Sequence, residues 1–180
     1  AASDWRAFLD ARALELLPGG AMVILTMAID HDGAFGYREL LVAMYDALVE
    51  MSARGAITPD ELRRMAIPTV ARGATDIARP FDQAGRYGDL CLRRTEVFLA
   101  ADRIYDEFEA SRDARAFGRA WAAFSRASVF PTLAGSLVAA GDATRASAFM
   151  DALEANLTER LAAAPARMRI PLVRVEIGRL

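Results

Sequence analysis

No lysine occurs anywhere in the 180 residues: all 22 basic side chains are arginine, set against 24 acidic ones. Schiff-base chemistry and the phosphate-gripping lysine of a P-loop are thereby excluded. The formal net charge of −2 gives no electrostatic reason to expect a nucleic acid or an anionic membrane as partner. A single cysteine, Cys91, rules out an intrachain disulfide and fits a reducing compartment. A single histidine, His31, leaves a His-rich zinc site without ligands. No apolar run reaches the roughly 18 residues of a membrane span, and no basic-then-apolar leader opens the sequence. A soluble, cytoplasmic protein is expected. Apolar residues, by contrast, are plentiful, at 54% with a mean hydropathy of +0.16. That is enough for one sizeable core, in one domain or two small ones.

Patterning places the elements. Trp5, Phe8, Leu9 and Leu16 recur at helical spacing behind Ser3 and Asp4, and Pro18-Gly19-Gly20 stops that helix. The run Ala21 to Ala28 is continuously apolar and rich in β-formers, which predicts a central strand covered on both faces. A polar loop, Asp30 to Gly33, precedes a helix with Leu41, Met44, Tyr45, Leu48 and Met51 on one stripe. Thr58-Pro59-Asp60-Glu61 has the form of a capping box with proline in the first turn. A short helix is expected from about Thr75 to Gln83 and a strand from Asp89 to Phe98. Phe117, Ala120, Trp121, Phe124 and Ser128 mark a further helix broken by Pro131, and Asp142 caps a last one carrying Phe149, Met150, Leu153, Leu157 and Leu161. Leu172 to Ile177 alternates apolar with charged behind Pro171, which predicts an edge strand.

Bottom-up, no catalytic constellation stands out. His31 between Asp30 and Asp32 has the makings of a general base but reads as a solvated loop. Cys91, alternating with Leu90 and Leu92, reads as a packed thiol. Arg63-Arg64 and Arg93-Arg94 read as solvated faces, and the aromatic stripe Phe117, Trp121 and Phe124 as core. No glycine pair completes a dinucleotide-binding motif.

Ordered motifs carry a family likeness. The run from Trp5 to Val23, with Phe8-Leu9, Arg12-Ala13, Glu15-Leu16 and Pro18-Gly19-Gly20-Ala21-Met22-Val23, resembles "F-L-x-x-R-A-x-E-L-x-P-G-G-x-M-V" from the middle of the SABATH methyltransferases. These are the salicylate, benzoate and jasmonate carboxyl and xanthosine N-methyltransferases. Gly55-Ala56-Ile57 and Met65-Ala66-Ile67-Pro68 resemble the family's "E-G-L-I … F-N-I-P", and Asp82 to Glu96 its "E-x-x-G-S-F-x-I-x-x-L-E". Arg126 to Leu133 resembles "R-A-V-x-E-P-L-L".

The resemblance implies the C-terminal half of a Rossmann-like, S-adenosylmethionine-dependent methyltransferase. Its fold class would be α/β, as a fragment: late strands of a Rossmann-like sheet plus a mostly helical cap. Residues 1–30 would hold a helix and the central strand, 31–88 and 100–166 the cap, 89–99 a sheet strand and 167–180 the terminal strand. An opening Ala in place of Met fits a piece of a longer chain. The donor loop would lie upstream, so no catalytic, cofactor-binding or metal residue is assigned here. Acceptor-wall positions carry over singly: Met27, Val70, Ser125 and Ser128, with the wall tryptophan falling on Tyr37 or Leu41. The family's "E-P" glutamate is Phe130 and its "H-F-G" is missing, departures that bring the chain nearest bacterial relatives. The expected ligand is a small carboxylic acid or similar acceptor, and the chain alone would be inactive. Two other readings stay open: a non-catalytic helical interaction module, and a stand-alone domain that dimerises.

Overall fold

A computed structural model describes residues 2–137 and 142–180, leaving Ala1 and residues 138–141 outside. The chain divides into two compact units, one of residues 1–36, 70–101 and 169–180, the other of 37–69 and 102–168.

The first unit is a four-stranded sheet with helices α1 (Ala2–Glu15) and α4 (Ala74–Ala78). Its strands are β1 (Ala21–Met27), β2 (Arg86–Tyr87), β3 (Leu90–Leu99) and β4 (Pro171–Arg179), in the order β1-β4-β3-β2. Every ladder is antiparallel, and the only parallel contact among the described residues is an isolated bridge between Ala28 and Arg72. The open, mostly parallel Rossmann-like sheet expected from the sequence is therefore corrected to a small antiparallel sheet in a mixed α/β unit. The last strand runs antiparallel between β1 and β3, so those two never pair directly.

Centre and edge are also exchanged. Val173, Val175 and Ile177 of β4 are fully buried, making the predicted edge strand the middle one. Its charges face outward and are neutralised within and between strands: Arg174 Nη2 lies 2.9 Å from Glu176 of the same strand, and Arg174 Nε lies 3.9 Å from Glu96 of β3, which Arg94 also meets at 2.9 Å. Polar alternation thus marks a solvated sheet face, which a middle strand tolerates when its charges are paired. The predicted central strand, β1, pairs only with β4 and leaves Val23 67% and Leu25 60% exposed. Met22 and Ile24, on its other face, pack on the core of Trp5, Leu9, Ile77, Phe81 and Leu90.

The second unit is helical: α2 (Arg38–Ala53), α3 (Pro59–Arg64), α5 (Arg103–Ser111), α6 (Ala114–Ser128), α7 (Phe130–Ala134) and α8 (Ala143–Ala163). The Thr58 capping box forms as expected, with Thr58 Oγ1 accepting from Glu61 N–H at 3.2 Å and Glu61 Oε2 accepting from Thr58 N–H at 2.8 Å. Asp142 caps α8 through the Arg145 N–H. Of the predicted stripe, Phe149, Leu153, Leu157 and Leu161 are buried, and Met150 is half-buried. Helix α4 ends earlier than predicted, because Asp82 folds the following chain into a turn by accepting the Ala84 and Arg86 N–H groups, each at 2.8 Å.

Candidate functional site

The six acceptor-wall positions divide between the units. Met27 closes β1 on the solvent face of the sheet, 36% exposed. Val70 is exposed and lines a cavity of about 190 Å³ with Trp5, Arg6, Arg72, Arg79 and Pro80. The Ala28–Arg72 bridge sets their two chain segments side by side.

In the helical unit the structure draws three of the four positions into one cluster. Tyr37 sits at the start of α2 in a left-handed conformation, φ 55° and ψ 21°, which a bulky side chain rarely adopts. Its ring meets Trp121 edge-on at 6.0 Å and stacks on Phe124 at 6.3 Å. Ser125 Oγ donates to the Trp121 carbonyl at 2.9 Å, and Ser128 Oγ donates to the Phe124 carbonyl at 2.7 Å. Both serines thus back-bond to the very residues whose rings hold Tyr37. Ser125 is fully buried and Ser128 exposed. Burial raises the Tyr37 phenol above its ordinary value, and the Asp102 carboxylate adds to the effect. Leu41, one turn further along α2, lines a separate apolar groove of about 260 Å³ with Met44, Tyr45, Met65, Ile67 and Leu133.

Sequence spacing could not reveal the unpaired indole of Trp121. Its Nε1 is buried and has no hydrogen-bond partner among the described residues, although the ring reads as ordinary core. The pairing of Asp30 with Arg169 across 139 residues was equally hidden, the two lying 2.6 Å apart. Asp30 also accepts the Ala34 and Asp32 N–H groups. The Ala34 bond above all holds its carboxyl below the usual aspartate range, against the opposing effect of burial. Asp30 is therefore engaged away from His31, which is exposed and lies 3.6 Å from Asp32. The arginine pairs of the sequence are largely held by their own surroundings: Arg63 by Asp60, Arg94 by Glu96, and Arg64 by the Ser136 carbonyl. Among the described residues no group of three or more His, Cys, Asp or Glu is placed to hold a metal ion, and no helix is long and apolar enough to cross a membrane.

A family profile described as SAM-dependent carboxyl methyltransferase matches residues 1–173. The chain belongs to that family. No curated protein gives a match. Membership in the SAM-dependent carboxyl methyltransferases implies a donor that is a sulfonium cation joined to adenosine. The described residues do not fit it. The cavity beside Val70, at about 190 Å³, is smaller than the roughly 300 Å³ at which sites for drug-sized ligands begin. Gly36, in a left-handed turn, is pressed against the Arg169 carbonyl and Pro171, so that glycine is spent on packing. Gly33 closes the tight Asp30 turn instead of opening a helix.

Proposed function

We propose that the chain is the acceptor-binding and capping half of an S-adenosylmethionine-dependent carboxyl O-methyltransferase of SABATH type, acting on a small carboxylic acid or similar acceptor. The observation that carries this reading is the family match over residues 1–173. A carboxylic acid of pKa about 4 arrives already ionised at neutral pH, so no general base is asked of the protein. Its work is orientation and exclusion of water. An apolar groove beside Leu41 and a tightly packed ring cluster around Tyr37 suit that work. Met27, Tyr37, Leu41, Val70, Ser125 and Ser128 are the wall positions of this reading, the chain is inactive alone, and the departures at Phe130 and beyond set it with bacterial members.

The test has two arms. Calorimetry with S-adenosylmethionine should show no micromolar binding to the 180-residue chain. Methyl-detected NMR during titration with a panel of small aromatic and aliphatic acids should perturb Leu41 and the other methyl groups of its groove. Micromolar donor binding would overturn the half-enzyme assignment. Perturbation confined to residues other than the six positions would overturn the wall.

A further inference from the structure

We propose that Arg93 and Arg86 form a binding site for a phosphate group on the outer face of the sheet, above Gly178.

The site lies wholly within the sheet-bearing unit. Strand β3 slips its register on β4 between Leu92 and Arg94, so Arg93 is the extra residue of a β-bulge. Bulges re-aim a side chain, and this one lays Arg93 across the neighbouring strand. A Cβ at Gly178 would run into the Nη2, Cζ and Nε of Arg93 at nearly equal distances, so the guanidinium lies flat on the glycine backbone. Only glycine leaves that seat open. Packing there restrains a side chain whose rotamer freedom would otherwise oppose binding.

Register supplies the second arginine. Gly178 pairs with Cys91, and Cys91 with Arg86, so the three positions stand in one row on one face. That face is the outer one, because the alternating neighbours Leu90, Val175 and Ile177 point into the core. Arg86 stands two strand spacings from Gly178, about 10 Å, which leaves room for one oxyanion between two converging guanidinium groups. The floor between them is the Gly178 backbone and the small Cys91 side chain, with Ala21 beyond on β1.

Charge selects the ligand. Arg94 is paired with Glu96 at 2.9 Å and Arg174 with Glu176 at 2.9 Å, which engages both carboxylates of this face. Asp82 accepts the Arg86 backbone N–H at 2.8 Å, and Asp89 lies 3.5 Å from Arg179. Among the described residues neither the Arg93 nor the Arg86 guanidinium has an ion-pair partner, and both side chains are exposed. Two unspent planar forks over one floor match the several oxygens and double charge of a phosphate, whereas a carboxylate is satisfied by one fork. The site goes beyond the acceptor reading and stands without it.

Arginine Nε–Hε NMR on the full 180-residue chain, at constant ionic strength, reads the site directly. Inorganic phosphate should move the Arg93 and Arg86 signals along one saturating curve, while Arg119, an exposed arginine of the helical unit, stays still. Benzoate should bind about tenfold more weakly. Phenyl phosphate beside inorganic phosphate distinguishes the sources: tighter binding of the ester assigns the site to a phosphorylated small molecule, equal binding to free phosphate. Gly178→Ala keeps every charge but takes away the seat of Arg93, and should weaken binding by about fivefold. Arg93→Gln, an exposed change, should weaken it at least as much, and thermal melting checks that both variants are folded. Separate curves for the two arginines, an equal shift at Arg119, benzoate matching phosphate, or undiminished binding in either folded variant would overturn the proposal. None of these results bears on donor binding or on the six wall positions, so the two readings fail separately.

Discussion

Arg145 Nη2 reaches Glu61 across 84 residues, 2.7 Å from one carboxylate oxygen and 3.0 Å from the other. Glu61 is fully buried, and the same carboxylate closes the Thr58 capping box. One side chain therefore both starts α3 and ties it to the first turn of α8. Glu61→Ala removes the cap bond and takes a buried carboxylate from the Arg145 guanidinium, and is expected to cost about 3 kcal/mol. Arg145→Met should cost less than Glu61→Ala, since its side chain is 35% exposed and its charge is partly solvated. Urea unfolding of the two variants, read for midpoint and slope, checks the order.

Gly118 in α6 faces the backbone of α8, where a Cβ would run into the Thr158 carbonyl and lie 3.1 Å from the Ala162 nitrogen. Helix propensity alone would make Gly118→Ala stabilising by about 1 kcal/mol. Backbone cannot yield as a flexible side chain does, so overpacking of about 1–3 kcal/mol should win. A lower thermal midpoint for Gly118→Ala is the expected result, and a higher one would place the two helices further apart.

Asp30 contributes stability with a definite pH sign. Its folded pKa is lowered, so its contribution is present above the ordinary aspartate value of about 4 and is lost as the pH falls through the lowered one. Asp30→Asn keeps an oxygen for the Ala34 N–H but loses the charge facing Arg169. The variant should be less stable than the parent at pH 7 and converge with it as the pH drops below about 4. Thermal melts across that range read the convergence directly.

Among the described residues strand β1 has no partner on its outer edge, and it presents an apolar outer face at Val23 and Leu25 with none of the charges or prolines that usually blunt an edge. Sedimentation velocity should show concentration-dependent association of the chain. Val23→Lys places a cation opposite Glu176, its register partner, and should suppress association with little change in melting temperature. Strictly monomeric behaviour of the parent at high concentration would contradict this.

Much of the helical unit was legible because its signals are local. The Thr58-Pro59-Asp60-Glu61 cap, the Asp142 cap and the apolar stripe of α8 involve residues within a few turns of one another. The sheet was less so. β1 and β4 are adjacent in space though about 150 positions apart, and which of them lies in the middle depends on that pairing. Arg174 and Glu176 look like edge charges until Arg94 and Glu96 are seen beside them. The candidate site shows the same division. Tyr37 and Ser125 could be marked on the chain by likeness to a family, but their meeting through Trp121 could not.

Composition and short-range order by themselves determined that this chain lacks lysine chemistry and an intrachain disulfide, where the Thr58 and Asp142 caps fall, and which face of α8 is apolar, since each depends on residue type or on spacing within a turn or two. Tertiary structure alone decided that β4 and not β1 is the middle strand, that Asp30 meets Arg169 across 139 residues, and that the Trp5 indole donates to the Ile77 carbonyl. The reason is physical: strand partnership, ion pairing and cavity walls are set by residues that approach only after the chain has folded, and no periodicity along the sequence records the approach.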